Sequence, residues 1–262
     1  MAKRAMSHEK ASAVKLSGHA KEKEFAKLIG LNDEYKNDKK AKKDVIDFNG
    51  DAHSVKSGAK KWQVFLYGAN RLANDYGFLA MNGMGQLLKN CLDVFPANRS
   101  EYEKNKAYYK ELLQKPMIEL KEKLQSENRR KAFLSKAFFN GGEVQYLTIF
   151  STFDDVVRVF FYEDVVDILA ANIAVENSQA RQKGQTNNQK VVFKCDNATL
   201  GEIELRNDSD VHYKEIKFWV SAPKMIELLT KSVDTFGTPR YINGVENKRV
   251  MLFGKALKKF KI

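Results

Sequence analysis

Asn49-Gly50 stands between two short β-prone runs, residues 44–48 and 51–56. An Asn-Gly pair reaches the positive φ angles of a tight hairpin without strain, so the two runs are expected to fold back on each other as antiparallel strands. Residues 62–67, with Val64, Phe65 and Leu66, read as a third strand of the same unit, buried on both faces. Ahead of the hairpin, residues 18–30 read as an amphipathic helix. Phe25, Ala26 and Ile29 share one face, Glu22 lies on that same face, and Gly30 suits a C-terminal cap.

Beyond the third strand, residues 69–139 are mainly helix-forming, and residues 104–123 are interrupted only by Pro116. Strands are expected at 144–150 and 156–162, a helix at 163–172, a hairpin at 200–206 and 213–220, and a helix at 223–231. The Gln- and Asn-rich residues 178–188, with Gln179, Gln182, Gln185, Asn187 and Asn188, read as a loop or linker, or as a segment that orders on a partner. The pattern defines a mixed α/β (α+β) chain.

Charge narrows the partners. The 262 residues carry a formal net charge of +12, and lysines that neutralise phosphates release condensed counterions. The excess is local. Residues 248–262 hold six basic residues and no acidic one (Lys248, Arg249, Lys255, Lys258, Lys259, Lys261), and Lys39, Lys40, Lys42 and Lys43 form a second cluster. A polyanion, nucleic acid above all, is the expected partner. No apolar run is long enough to span a bilayer, and Met1-Ala2-Lys3-Arg4 lacks the apolar core of a secretory signal. No membrane partner and a cytoplasmic location are therefore expected. The two cysteines, Cys91 and Cys195, show no zinc-cluster spacing. No phosphate-binding GxxxxGK[ST] loop is present and Gly83-Met84-Gly85 lacks the dinucleotide fingerprint, so no nucleotide cofactor is expected.

The chemistry-bearing residues gather at the hairpin. Ser54 and Lys56 are two apart on one strand and point to one face. Asp44 opens the partner strand. A two-residue turn at Asn49-Gly50 would set Asp44 opposite Val55 and bring Asp47 to the Ser54/Lys56 face. A three-residue loop with a bulge at Gly50 would set Asp44 opposite Lys56. Turn geometry leaves both readings open. His53 could meet a phosphate or be a structural histidine.

Asp44-Val45-Ile46 followed by Ser54-Val55-Lys56 resembles the PD-(D/E)XK nuclease pattern, with Ser54 where the pattern has Asp or Glu. The match of Lys43-Asp44-Val45-Ile46 to that pattern favours the bulged loop, with Asp47 the alternative. The preceding stretch from Gly18 to Gly30 is similar to the helix that supplies an extra carboxylate in that superfamily. Lys56-Ser57-Gly58 with Gln63 on the next strand resembles type II restriction endonucleases. The resemblance covers residues 15–67. It implies a restriction-endonuclease-like central mixed sheet flanked by helices, and Mg²⁺-dependent cleavage of duplex DNA at a short specific site by a homodimer. It implies Asp44, Glu22 and the Val55 carbonyl as metal ligands, Lys56 serving the attacking water, Ser54 within the catalytic set, and Asp47 and Gln63 as alternative catalytic residues. On this reading residues 1–175 form the catalytic core with a helical insertion at about 68–140, and residues 176–262 form a recognition region packed on the same domain. A repair or junction-resolving nuclease, and a non-catalytic DNA-binding protein, are the alternatives.

The loop between residues 206 and 214 offers Arg206, Asn207, Asp208, Ser209, His212 and Lys214. Such side chains can read base edges, though an ordinary solvated hairpin loop would carry them too. Lys248, Arg249, Lys255, Lys258, Lys259 and Lys261 are expected to contact phosphates rather than bases.

Overall fold

The computed structural model describes residues 8–38, 41–233, 240–241 and 249–261. In chain order, α1 (His8–Leu28) leads to β1 (Val45–Ile46), β2 (Ala52–Lys56) and β3 (Lys61–Gly68). The helices α2 (Ala69–Asn74), α3 (Tyr76–Ala80), α4 (Met84–Asp93), α5 (Arg99–Lys104), α6 (Lys106–Leu124) and α7 (Glu127–Phe139) follow. Then come β4 (Tyr146–Phe150), β5 (Val157–Phe161), α8 (Tyr162–Asn172), β6 (Ala174–Asn177), β7 (Lys190–Cys195), β8 (Ala198–Asn207) and β9 (Tyr213–Ser221). The last elements are α9 (Ala222–Ser232), β10 (Arg240–Tyr241), β11 (Val250–Phe253) and α10 (Ala256–Lys259). The class is mixed α/β, as the sequence pattern implies. Lys39, Lys40 and Lys248 lie outside the described residues.

The chain forms two compact units, each assembled from separated stretches. The first contains residues 1–59, 142–165 and 229–262, and the second residues 60–141 and 166–228. The boundary expected at 175 falls inside β6, within the second unit.

In the first unit the sheet order is β1-β2-β4-β5-β11-β10. The sheet is mixed: β2 runs parallel to β4 and β5 parallel to β11, while the other neighbours are antiparallel. Long stretches of chain separate each parallel pair in sequence, as a parallel crossover requires. Residues 248–262, expected from their charge to be a basic tail, instead contain β11, which joins the sheet between β5 and β10. The apolar run Val250-Met251-Leu252-Phe253 is what buries it.

Helix α1 packs Phe25, Ala26 and Ile29 against Val45, Tyr146, Val159 and Leu252. Its end is closed by a paired cap. Gly30 takes φ +85°, its N–H donates to the Lys27 carbonyl, and the Leu31 N–H donates to the Ala26 carbonyl. Only glycine reaches that angle cheaply, which fixes where the helix stops.

In the second unit the order is β3-β9-β8-β7-β6, antiparallel throughout. The sequence expectation that residues 62–67 extend the first hairpin is therefore corrected: β3 pairs with β9, not with β2. Its alternation of apolar side chains identifies a strand but cannot name a partner so far along the chain. Phe65, Phe193 and Phe218 on this sheet meet Phe133 from α7, with ring centroids 5.3–6.2 Å apart. Pro116 lies within α6 without ending it, its ring buried. The residues 178–188 connect β6 to β7 as a hairpin loop, tied by Asn187 Oδ1 accepting from the Ala180 N–H.

Candidate active site

The β1–β2 hairpin closes differently from either sequence expectation. Val45 pairs with His53 and Ile46 with Ala52, and the Asp47 N–H donates to the Asp51 carbonyl. The loop is thus the three residues Phe48, Asn49 and Gly50, one position earlier than the bulged alternative required. Asp44 opposes neither Val55 nor Lys56 in the ladder. The cause is the Asp47 side chain, whose Oδ1 accepts from the N–H groups of Asn49 and Asp51 at 2.9 and 3.0 Å. An aspartate at the start of a turn bonds its own loop in this way, and Gly50 supplies the positive φ of +84°.

This register separates the two aspartates. Asp47 is buried, with its second oxygen 3.4 Å from His53 Nε2. Both its oxygens are committed to the loop and the histidine. Asp44 sits at the bend before β1. Its Oδ2 accepts a 2.8 Å hydrogen bond from the Val55 N–H and lies 3.5 Å from Ser54 Oγ. The carboxylate thus occupies the edge of β2 just past the end of β1. In an extended strand the N–H and C=O of one residue project to the same edge, so the Val55 carbonyl faces the same side as Asp44.

Glu22 reaches this neighbourhood from α1. It is 9% exposed, and His19 Nδ1 lies 3.2 and 3.1 Å from its two oxygens. Tyr35 links the two acids: burial first, then the charges of Glu22 and Asp44, push its hydroxyl pKa up. Lys56 follows Ser54 at the two-residue strand spacing, half-buried. Among the described residues its side chain has no hydrogen-bond or ion-pair partner. Tyr35 and His19 are site residues that sequence reasoning does not single out. His19 carries a signal, since i and i+3 on a helix share a face with Glu22. Tyr35 carries none, because it lies in an irregular segment.

Among the described residues no three of His, Cys, Asp and Glu gather as a metal cage. The donors brought together at the edge of β2 are the Asp44 carboxylate, the Ser54 hydroxyl and the Val55 carbonyl, with the Glu22 carboxylate on α1 as a fourth candidate. All are hard oxygens, which suit Mg²⁺ or Mn²⁺ rather than zinc or copper.

His53 is fully buried, stacked on Tyr146 with ring centroids 4.8 Å apart and flanked by Phe25 and Phe260. Its Nδ1 lies 3.0 Å from Thr148 Oγ1, and burial pushes its pKa down. It is a neutral core histidine and cannot meet a phosphate. Gln63 is exposed on β3 of the second unit, opposite Trp219.

The residues offered for base reading are largely engaged within their own loop. Arg206 pairs with Asp208 at 3.0 Å, Asn207 Oδ1 accepts from the Lys214 N–H, and Ser209 Oγ accepts from the His212 N–H. His212 Nδ1 lies 2.7 Å from Glu215, and Lys214 Nζ donates to the Phe95 carbonyl. The loop presents Asp208, Asp210 and Val211 outward. In the chain's last stretch, Arg249 is bound to Glu24 and Asp155, and Lys255 to Glu163. Lys258, Lys259 and Lys261 are exposed.

Comparison of the chain with protein-family models, with curated proteins and with solved structures finds no match. The functional reading therefore rests on the chemistry of the site.

Proposed function

We propose that this chain is a metal-dependent endonuclease of double-stranded DNA, acting as a homodimeric type II restriction endonuclease does. The observation that carries this reading is the Asp44 carboxylate fixed by the Val55 N–H beside Ser54, one strand step before Lys56. The mixed sheet of the first unit, with α1 packed on it, supports the same reading.

Asp44 and Glu22 would hold a Mg²⁺ ion, with the Ser54 hydroxyl and Val55 carbonyl as neutral oxygen donors. Such an ion polarises the phosphate and lowers the pKa of a bound water. Lys56 supplies a cation on a rigid strand, to orient the attacking water and offset charge that develops on the phosphate. Ser54 in place of an acid leaves one negative charge fewer, so binding leans on Asp44 and Glu22. Lys258, Lys259 and Lys261 are available for phosphates. The paired Arg249 and Lys255 serve the fold first.

A circular plasmid of known sequence incubated with the protein and Mg²⁺ should give discrete fragments whose mapped ends share one short sequence. Cutting that follows DNA structure instead of sequence would make it a repair or junction-resolving nuclease. Ser54 favours one further reading, a DNA-binding protein that has lost cleavage. Tight duplex binding with no cutting in Mg²⁺ or Mn²⁺ would establish that in place of the nuclease.

A further inference from the structure

We infer that His19 is a positioning residue for the metal site, holding the Glu22 carboxylate in the orientation from which it binds the ion; this rests on the nuclease reading. The geometry is local and specific. His19 Nδ1 stands within 3.1 and 3.2 Å of both Glu22 oxygens, so the ring addresses the carboxylate as a whole. The two residues are one helical turn apart on α1, where i and i+3 side chains lie on one face. The side chain of Glu22 is 11% exposed and that of His19 33% exposed, so the histidine sits at the solvent side of a nearly buried acid.

A carboxylate accepts hydrogen bonds and does not donate them, so Nδ1 carries the proton in this contact. A long glutamate side chain has three rotatable torsions to fix before it can serve as a ligand. The histidine removes much of that freedom in advance. On the sheet side the turn that follows, Phe25 and Ala26, is buried and fixes where α1 lies. The helix therefore sets the height of Glu22 and His19 sets its direction. Hydrogen-bond partners that orient a metal ligand are worth about 10- to 100-fold in metal affinity.

The test uses the full chain and Mn²⁺ alone, with free ion followed by electron paramagnetic resonance and cleavage measured alongside. His19→Ala should weaken Mn²⁺ binding about 10-fold and raise the metal concentration needed for half-maximal cleavage in parallel. His19→Asn places an amide N–H where Nδ1 stood and should restore binding to within about 3-fold, a fraction of the range such partners span. A merely structural histidine would not show that rescue. Glu22→Gln should lose binding in either case. If Glu22→Gln loses binding while His19→Ala keeps the wild-type affinity, this inference is overturned and the nuclease reading stands. If His19→Asn is as weak as His19→Ala, the hydrogen bond is not the cause and the inference again falls. If the wild-type chain binds no Mn²⁺, the metal reading and this inference fall together.

Discussion

Replacing Asp44 should separate a structural role from a chemical one. Its Oδ2 is the acceptor for the Val55 N–H at 2.8 Å, at a point where β1 has ended and offers no carbonyl. A hydrogen bond to a charged group contributes about 1.5–3 kcal/mol, and a half-buried N–H left without an acceptor costs a similar amount. Asp44→Ala should therefore destabilise the first unit by about 2 kcal/mol. Asp44→Asn keeps an oxygen acceptor and loses the charge, so it should cost under about 1 kcal/mol. Both should abolish Mg²⁺-dependent cleavage, because a neutral amide is a poor ligand for a hard cation. Hydrogen exchange at the Val55 amide reads the structural part directly. At about 1.4 kcal/mol per factor of ten, exchange should quicken about 30-fold in the alanine variant and about 5-fold or less in the asparagine variant. Both tryptophans, Trp62 and Trp219, lie in the second unit, so their fluorescence serves as an internal control for global unfolding. An unchanged Val55 amide in Asp44→Ala would refute the anchoring role. Full cleavage by Asp44→Asn would refute the ligand role.

Stability of the first unit should fall on acidification from pH 7 to below 6.5, the ordinary histidine value. His53 is buried and its folded pKa is pushed down, so its contribution is whole above the unfolded pKa and is lost as pH drops toward the folded one. Guanidinium midpoints against pH should show this slope in the wild type and not in His53→Gln; equal slopes would contradict it. Asp51, pushed up by burial and then by Asp47, acts in the opposite sense and only near and above its ordinary 3.8. For DNA binding, removing Lys258 and Lys259 together should lower affinity evenly across sequences and reduce the salt slope by about 2, roughly 0.9 for each phosphate that is no longer neutralised. Arg249→Ala should leave that slope unchanged, since its guanidinium is held by Glu24 and Asp155; a matching fall in the slope would reverse this assignment.

Legibility follows the range of the forces involved. Helix α1 from residue 18 onward and its stop at Gly30 are local matters of periodicity and a left-handed glycine, visible in the sequence, whereas its polar start at His8, in residues that read as a frayed end, is not. Ser54 and Lys56 on one strand face follow from the two-residue repeat alone. The register of the β1–β2 hairpin is not legible, because a side chain decides it: Asp47 closes the loop one residue earlier than backbone turn rules suggest. The partner of β3 is not legible either, since β9 lies far along the chain and hydrophobic alternation carries no address. Charge hides β11. Four apolar residues between Arg249 and Gly254 make a strand inside the sheet, yet the surrounding basic residues dominate the pattern. Those charges look available for DNA, but Arg249 and Lys255 are spent on ion pairs within the chain. Sequence names the charged groups, and only the fold shows which are already matched.

Cleavage of a circular plasmid by wild type and by Lys56→Ala, in Mg²⁺, separates a nuclease built around Lys56 from any other reading. The Lys56 side chain has no partner among the described residues, so its removal should leave stability within about 0.5 kcal/mol of wild type, as for surface substitutions away from special features. The wild type should give sequence-specific fragments, and the folded Lys56→Ala variant should leave the plasmid intact. Equal cleavage by the two proteins, or no cleavage by the wild type in either Mg²⁺ or Mn²⁺, would contradict it.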